Sequence, residues 1–287
     1  MNKLLLAALV TGALSAPAFA ADYTIMAPAG PGGGWDQTAR TMQEAMQAEG
    51  ISGNVQVTNV PGAGGTIGLA QFATQENGNP NALIVGGYVM VGAILTNMSP
   101  VTLEDVTPIA RLTGEAVALV VPAASDIQSV DDLVAKLKEN PGAVAWAGGS
   151  AGGVDHITAG LIAKAVDVDP TQVNYIAYSG GGEALAAILG GQVTVGLSGV
   201  SEFASQIEAG ELRLLAVSTD TRVPGFDAPT LMEEGVDVAV QNWRMVAAAP
   251  GLSDEQKAAI TADVKAMAES ATWQSALETR GWVDTYL

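Results

Sequence analysis

Residues 23–50 run YTIMAPAGPGGGWDQTARTMQEAMQAEG, a strand, a glycine turn and a helix in succession. A short apolar run at 23–27 predicts a strand. A glycine-rich turn follows, and then Ala39, Met42 and Met46 recur at helical spacing over 37–49, with Gly50 at the stop. Residues 55–72, VQVTNVPGAGGTIGLAQF, repeat this order: a strand at 55–60, a second glycine turn at 61–65, and a helix carrying Ile67, Ala70 and Phe72. A third apolar run at 82–87 completes a strand, helix, strand, helix, strand series. Such alternation predicts a mostly parallel sheet with helices on both faces, whose ligand sites lie off the carboxyl ends of the strands.

Further along, residues 107–122 are nearly all extended and apolar, long enough to cross between two lobes. A fresh set of units then begins. Ser129 with Asp132 makes a capping box for a helix at 130–139, a strand follows at 144–147, and a helix spans 154–166 with Ile157, Leu161 and Ala165 on one face. Runs at 173–177, 183–189, 193–197 and 212–217 continue the alternation, and Ser253 with Gln256 opens a last long helix through residue 268. There is no exact internal repeat, although both halves share the same strand–glycine turn–helix grammar. A chain of 287 residues suits one large or two medium lobes.

Composition narrows the chemistry. Twelve Lys and Arg against 30 Asp and Glu give −18, a field that repels nucleic acid and anionic membrane surfaces. With no Cys and a single His, thiol nucleophiles, disulfides, zinc–thiolate sites and histidine-rich metal sites are all excluded, and neither a metal nor another cofactor is expected. At the amino end, Lys3, an apolar run from Leu4 to Leu14, and Ala18-Phe19-Ala20 read as a secretory signal peptide cleaved after Ala20. The mature chain is then expected in the periplasm at −19, since one Lys leaves with the signal. No later segment approaches the ~20 apolar residues that span a bilayer.

The glycines carry the functional information. Four turns concentrate them, around residues 29–36, 61–66, 148–153 and 179–183, and each follows a strand and precedes a helix. Glycine lets the backbone approach a ligand closely, while the first turn of the next helix offers unpaired N–H groups and partial positive charge. Such turns cradle anions without a cluster of Lys or Arg. Nucleotide motifs fit badly, because the 62–67 segment breaks G-x-G-x-x-G at its third glycine and no loop ends in Gly-Lys-Ser/Thr. Gly148-Gly149-Ser150-Ala151-Gly152 matches G-x-S-x-G, but the sole His156 lies six residues on, near the start of the same helix, where it is poorly placed to serve as base. Ser150 is therefore expected as a helix cap or a hydroxyl donor to a ligand, and His156 at the rim of the site. Asp36 reads as a first-turn acid, and Arg40 as the partner of Glu44 one turn on. Trp35, Tyr88 and Tyr178 are either pocket lining or core, and Arg111 and Arg244 are scarce positive charges.

Three segments together resemble a known family: APAGPGGGWDQTAR within 27–40, NVPGAGGTIG at 59–68, and YSGGGEAL at 178–185 with LGGQV at 189–193. They are similar to the solute-binding receptors of tripartite tricarboxylate transporters, and the likeness runs over essentially the whole mature chain. The resemblance implies an α/β, two-lobed type II periplasmic-binding-protein fold that closes on a small organic carboxylate, a di- or tricarboxylate such as citrate. It implies a non-enzymatic monomer that hands its ligand to large and small membrane components. Lobes are expected at 21–112 plus 223–287 and at 113–222. The implied ligand contacts are Pro28, Ala29, Gly32, Gly33, Gly34, Trp35 and Asp36, then Ala63, Gly64, Gly65 and Thr66, in the first lobe; Ser150, Ala151 and Gly152, with Tyr178, Ser179, Gly180 and Gly181, in the second. Tyr88, His156 and Ser198 join this set, Ser198 standing where many relatives carry an acid or amide. Two alternatives remain open at this stage: a serine esterase using Ser150, and a binding protein that feeds a sensor.

Overall fold

Both quoted stretches fold as read. In a computed structural model, which describes residues 21–287, strand β1 (Ala21–Ala27) leads through the first glycine turn into α1 (Gly34–Ala48), then β2 (Ser52–Asn59), α2 (Thr66–Gln75) and β3 (Ala82–Gly87). The segment 1–20, read above as a signal peptide, lies outside the described residues. β1 pairs in parallel with β2 and β3, so the two glycine turns open at the same sheet end. Directly after β3 comes α3 (Tyr88–Thr96), a helix the sequence reading missed because its residues are apolar without clear periodicity.

The extended run is one 16-residue strand, β4 (Thr107–Pro122). Beyond it α4 (Val130–Glu139), β5 (Ala145–Gly148), α5 (Val154–Ala165), β6 (Asn174–Ala177), α6 (Gly181–Leu189), β7 (Val195–Gly199), α7 (Val200–Glu208) and β8 (Leu212–Val217) form the second set of units. The chain returns as β9 (Gln241–Ala248) and ends with α8 (Asp254–Ala268), α9 (Ala271–Arg280) and β10 (Trp282–Asp284). β4 is the shared strand: residues 107–116 pair with β9, whereas residues 117–122 pair with β7 and β8. One continuous strand order, β2-β1-β3-β9-β4-β7-β5-β6, results. The expectation of a mostly parallel sheet holds within each set, where β5 pairs in parallel with β6 and β7. It fails at the centre, because β4 and β9 run antiparallel to each other and to their neighbours.

Apolar burial follows this division. Ile25, Met42, Leu83, Val246 and Trp273 belong to one core. Leu119, Leu133, Trp146, Ile162 and Leu197 belong to a second, which also takes Leu231, Val236, Val238 and Val240, and Ile188 with Phe203 to a third under α6 and α7. Each such side chain removed from water contributes roughly 1.5–3 kcal/mol. The capping boxes at Ser129/Asp132 and Ser253/Gln256 are formed as read. Two local readings are corrected. In α5 the buried face carries Val154, Thr158, Ala159 and Ile162, while Leu161 and Ala165 of the expected stripe are exposed. Arg40 pairs with Asp36, at 3.0 Å, rather than with Glu44, because the Asp36 carboxylate is fixed at the helix start. No described helix is long and apolar enough to cross a membrane.

Candidate ligand-binding cleft

Four strand-to-helix turns converge on one cavity between the two sets of units. From the first set it is lined by Pro28, Ala29, Gly33, Gly34 and Trp35, and by Gly64 and Gly65. Ser150, Ser179, Gly180, Gly181 and Ser198 face it from the second. These are predicted residues, brought together from turns more than a hundred positions apart. A methyl group built on Gly180 would lie 3.9 Å from the Gly33 Cα, ordinary contact distance, so the turns confront each other across the cavity. The first-turn amides of α1 and α6, around Gly34–Asp36 and Gly181–Glu183, are the groups that a helix leaves without internal partners.

Other predicted residues lie elsewhere. Ala63, Ala151 and Tyr178 line an adjoining outer recess with Asn97 rather than the cavity itself. Gly32 donates its N–H to Asp36 at 2.9 Å, and Asp36 also accepts from Arg40 and Asn59. Burial works to raise the Asp36 pKa, but these bonds outweigh it and hold the carboxyl below its ordinary value. Asp36 thus braces the first turn and is not cavity lining. Thr66 is buried and donates to the Ala63 carbonyl. Tyr88 meets Trp243 edge-on, with ring centroids 6.4 Å apart. His156 stacks on Tyr175 at 4.4 Å, and its Nδ1 accepts the Gly152 N–H at 3.1 Å; burial keeps its pKa below the ordinary histidine value. Ser150 is not the cap of α5, which is Gly153.

The floor of the cavity is where sequence reasoning fell short. Asp155, Glu202, Asn242 and Arg244 line it, and of these only Arg244 had been singled out, as a scarce cation. Arg244 is 1% exposed and forms an ion pair through Nη2 with Glu115, which is fully buried. Glu115 is also held by the backbone N–H and hydroxyl of Ser201 at the start of α7. The Arg244 guanidinium lies 5.2 Å from the Trp282 ring centroid. Both partners come from the central strands: Glu115 on β4 sits next to the β9 segment that carries Arg244. The available signal was a lone acid in an apolar strand, Glu115 within EAVALVV, and a lone arginine in QNWRMVAAA.

Two more acids border this pair. Burial pushes Asp155 up to about 7, opposed by the N–H of Gly149 at 2.8 Å. Burial, reinforced by Glu115, pushes Glu202 up to about 8, with Arg244 acting against it. Glycine makes room for both polar ends: a Cβ on Gly34 would come within 2.3 Å of Arg244 Nη2, and one on Gly181 within 2.2 Å of Glu202 Oε2. Arg244 cannot swing aside, because Glu115 and Trp282 hold it. Gly34→Ala is therefore expected to destabilise the chain by about 1–3 kcal/mol through overpacking, read as a lower urea midpoint with an unchanged slope.

Comparison with known proteins yields a consistent set of likenesses. A family model described as tripartite tricarboxylate transporter family receptor matches residues 38–285. The chain is 31% identical over 265 residues to a UPF0065 protein of Bordetella bronchiseptica, covering 89% of this chain and 77% of that one. It is 28% identical over 223 residues to a UPF0065 protein of Agrobacterium vitis, covering 77% of this chain and 63% of that protein. Among solved structures, the periplasmic binding protein BugD superposes with a TM-score of 0.79 at 21% identity, over 92% of this chain and 88% of BugD. MatC of Rhodopseudomonas palustris with bound malate gives 0.81 at 23% identity, over 93% and 90%. An R. palustris protein with adipate gives 0.81 at 23%, over 93% and 89%. At these identities the superpositions establish the fold, that of type II periplasmic binding proteins.

Proposed function

This chain belongs to the tripartite tricarboxylate transporter receptor family, and on that premise we propose that it is an exported receptor which captures a small organic carboxylate and presents it to the large and small membrane components of its transporter. The observation that carries this reading is the convergence of glycine-led helix starts on one cavity. Their amides supply charge compensation and orientation for an anion that a chain at −18 would otherwise repel. The carboxylates bound by two structural neighbours, malate and adipate, support a ligand of the dicarboxylate size. Citrate stays within the proposed class.

The proposed ligand contacts are the predicted residues that line the cavity, with Ala63, Ala151 and Tyr178 at its mouth. Closure is proposed about β4 and β9, the strands that join the two sets of units, with the ligand favouring the closed state by touching both sides. The proposed lobes are 21–116 with 241–287, and 117–240. The return is placed at β9 rather than at 223 because Leu231, Val236, Val238 and Val240 pack into the second core. Location in the periplasm as a monomer, after cleavage behind Ala20, completes the proposal.

Thermal-shift screening of the refolded, ligand-stripped mature chain with mono-, di- and tricarboxylates tests it. At least one carboxylate is expected to raise the melting temperature, by about 1.4 kcal/mol of stabilisation for each tenfold excess over Kd. A rise with neutral sugars alone would remove the substrate class. The esterase alternative meets its own test in Ser150→Ala: the receptor reading expects no ester turnover by either protein, and turnover lost with the hydroxyl would overturn it.

A further inference from the structure

The cavity floor holds four polar atoms that are buried and have no hydrogen-bond partner: Arg244 Nη1, Asp155 Oδ1, Asn242 Oδ1 and Glu202 Oε2. Arg244, Asp155 and Asn242 are 1%, 6% and 7% exposed, so water outside the cavity does not serve them. Buried polar groups are almost always paired, and a group of four bordering one cavity points to a ligand that pairs them. With the two carboxyls ionised the set is lopsided, one donor edge against three acceptor oxygens. A bare carboxylate would satisfy Arg244 Nη1 but offers no donor to Asn242 Oδ1, and it meets Asp155 and Glu202 favourably only while those carboxyls keep their protons.

We infer that the floor selects carboxylates that also carry a hydrogen-bond donor on the carbon chain, a hydroxyl or an ammonium group, with Asp155 and Asn242 as the specificity-determining residues. The inference rests on the receptor reading above. The ligand carboxylate faces Arg244 Nη1 or the helix-start amides, and the neighbouring hydroxyl or ammonium donates to Asp155 Oδ1 and Asn242 Oδ1. Glu202 Oε2 supplies a further acceptor beside the Ser198 hydroxyl. An ammonium group offers three donors and brings a positive charge that favours the ionised forms of Asp155 and Glu202, displacing the protons that burial keeps on them; a hydroxyl offers one donor and no charge. A site built to bond a hydroxyl or amine rejects the analogue that lacks it far more strongly than a site that merely tolerates it.

Matched triads test this by calorimetry on the ligand-stripped mature chain: succinate, malate and aspartate; glutarate, 2-hydroxyglutarate and glutamate; with tricarballylate and citrate as a pair. In the skeleton that fits, the donor-bearing member is expected to bind at least tenfold tighter than the plain acid. The tighter of the hydroxy and amino members identifies the donor. Asp155→Asn turns an acceptor into a group that also donates while preserving an oxygen for the Gly149 N–H, so the preference should fall to within about threefold or reverse. Asn242→Leu provides an independent variant and should also narrow it. Equal binding of plain and donor-bearing acids by the unmodified chain overturns the inference and leaves the receptor reading standing, as does a preference unchanged in both variants. Failure of every carboxylate to bind overturns the receptor reading, and the inference with it.

Discussion

Arg244→Met is expected to lower the stability of the chain by about 3–5 kcal/mol, the cost of leaving one member of a buried ion pair alone. The substitution keeps much of the volume and strands Glu115, which is fully buried and retains only its bonds from Ser201. It also removes the contact between the guanidinium and Trp282, which ties β10 to the floor of the cavity. Removing both charges, in Glu115→Gln with Arg244→Met, should recover most of the loss, because a neutral pair needs no burial of charge. Urea denaturation of the three proteins provides the check. A single variant within about 1 kcal/mol of the parent would show that the pair does not hold the central strands together.

Ligand-free stability is expected to fall as pH rises from 5 to 8, the reverse of the usual behaviour of paired carboxylates. Asp155 and Glu202 have pKa values raised to about 7 and about 8, chiefly by burial. Between the ordinary carboxylate range and those values the folded chain holds protons that the unfolded chain has released. Stability therefore decreases with pH, by about 1.4 kcal/mol per unit for each group while it stays protonated. Below pH 4 both states are protonated and the penalty vanishes; above pH 8 it is complete. The groups that face these acids are Glu115, Arg244, the Gly149 N–H, the Ser198 hydroxyl and each other. His156, held low by burial, acts in the opposite sense below the ordinary histidine pKa, and Asp36, held low, acts only at more acid pH. Asp155→Asn with Glu202→Gln should flatten the profile and be the more stable protein at pH 8. Parallel profiles for the two proteins, followed by chemical denaturation at each pH, would exclude the assignment.

The ease of reading this chain was uneven, for physical reasons. Periodicity and punctuation identified β1 through β3, the long β4, and the capped helices α4 and α8, because each is decided locally by strand alternation, a capping box or a glycine stop. The glycine turns disclosed most of the cavity lining for the same reason: a turn's residues are contiguous. What escaped was assembled across distance. Glu115 and Arg244 stand 129 positions apart and meet only because β9 returns beside β4. Asp155 stands in the first turn of α5, where acids are common, and Glu202 lies in a helix that apolar periodicity did not disclose. Gly34 and Gly181 were read as ligand cradles, yet their missing side chains also admit Arg244 and Glu202 to the floor. Ser198 was a predicted contact with no known counterpart, and it too lies beside Glu202 at the cavity wall.

Whether the glycine turns hold a carboxylate is decided by a crystal structure of the ligand-stripped mature chain grown with the carboxylate that ranks first in the thermal-shift screen. Density for that carboxylate is expected in the cavity between Gly34 and Gly181, with its oxygens within hydrogen-bond distance of the α1 and α6 helix-start amides and Arg244 at the floor. Ordered carboxylate bound elsewhere, with this cavity holding none of it, would contradict the account.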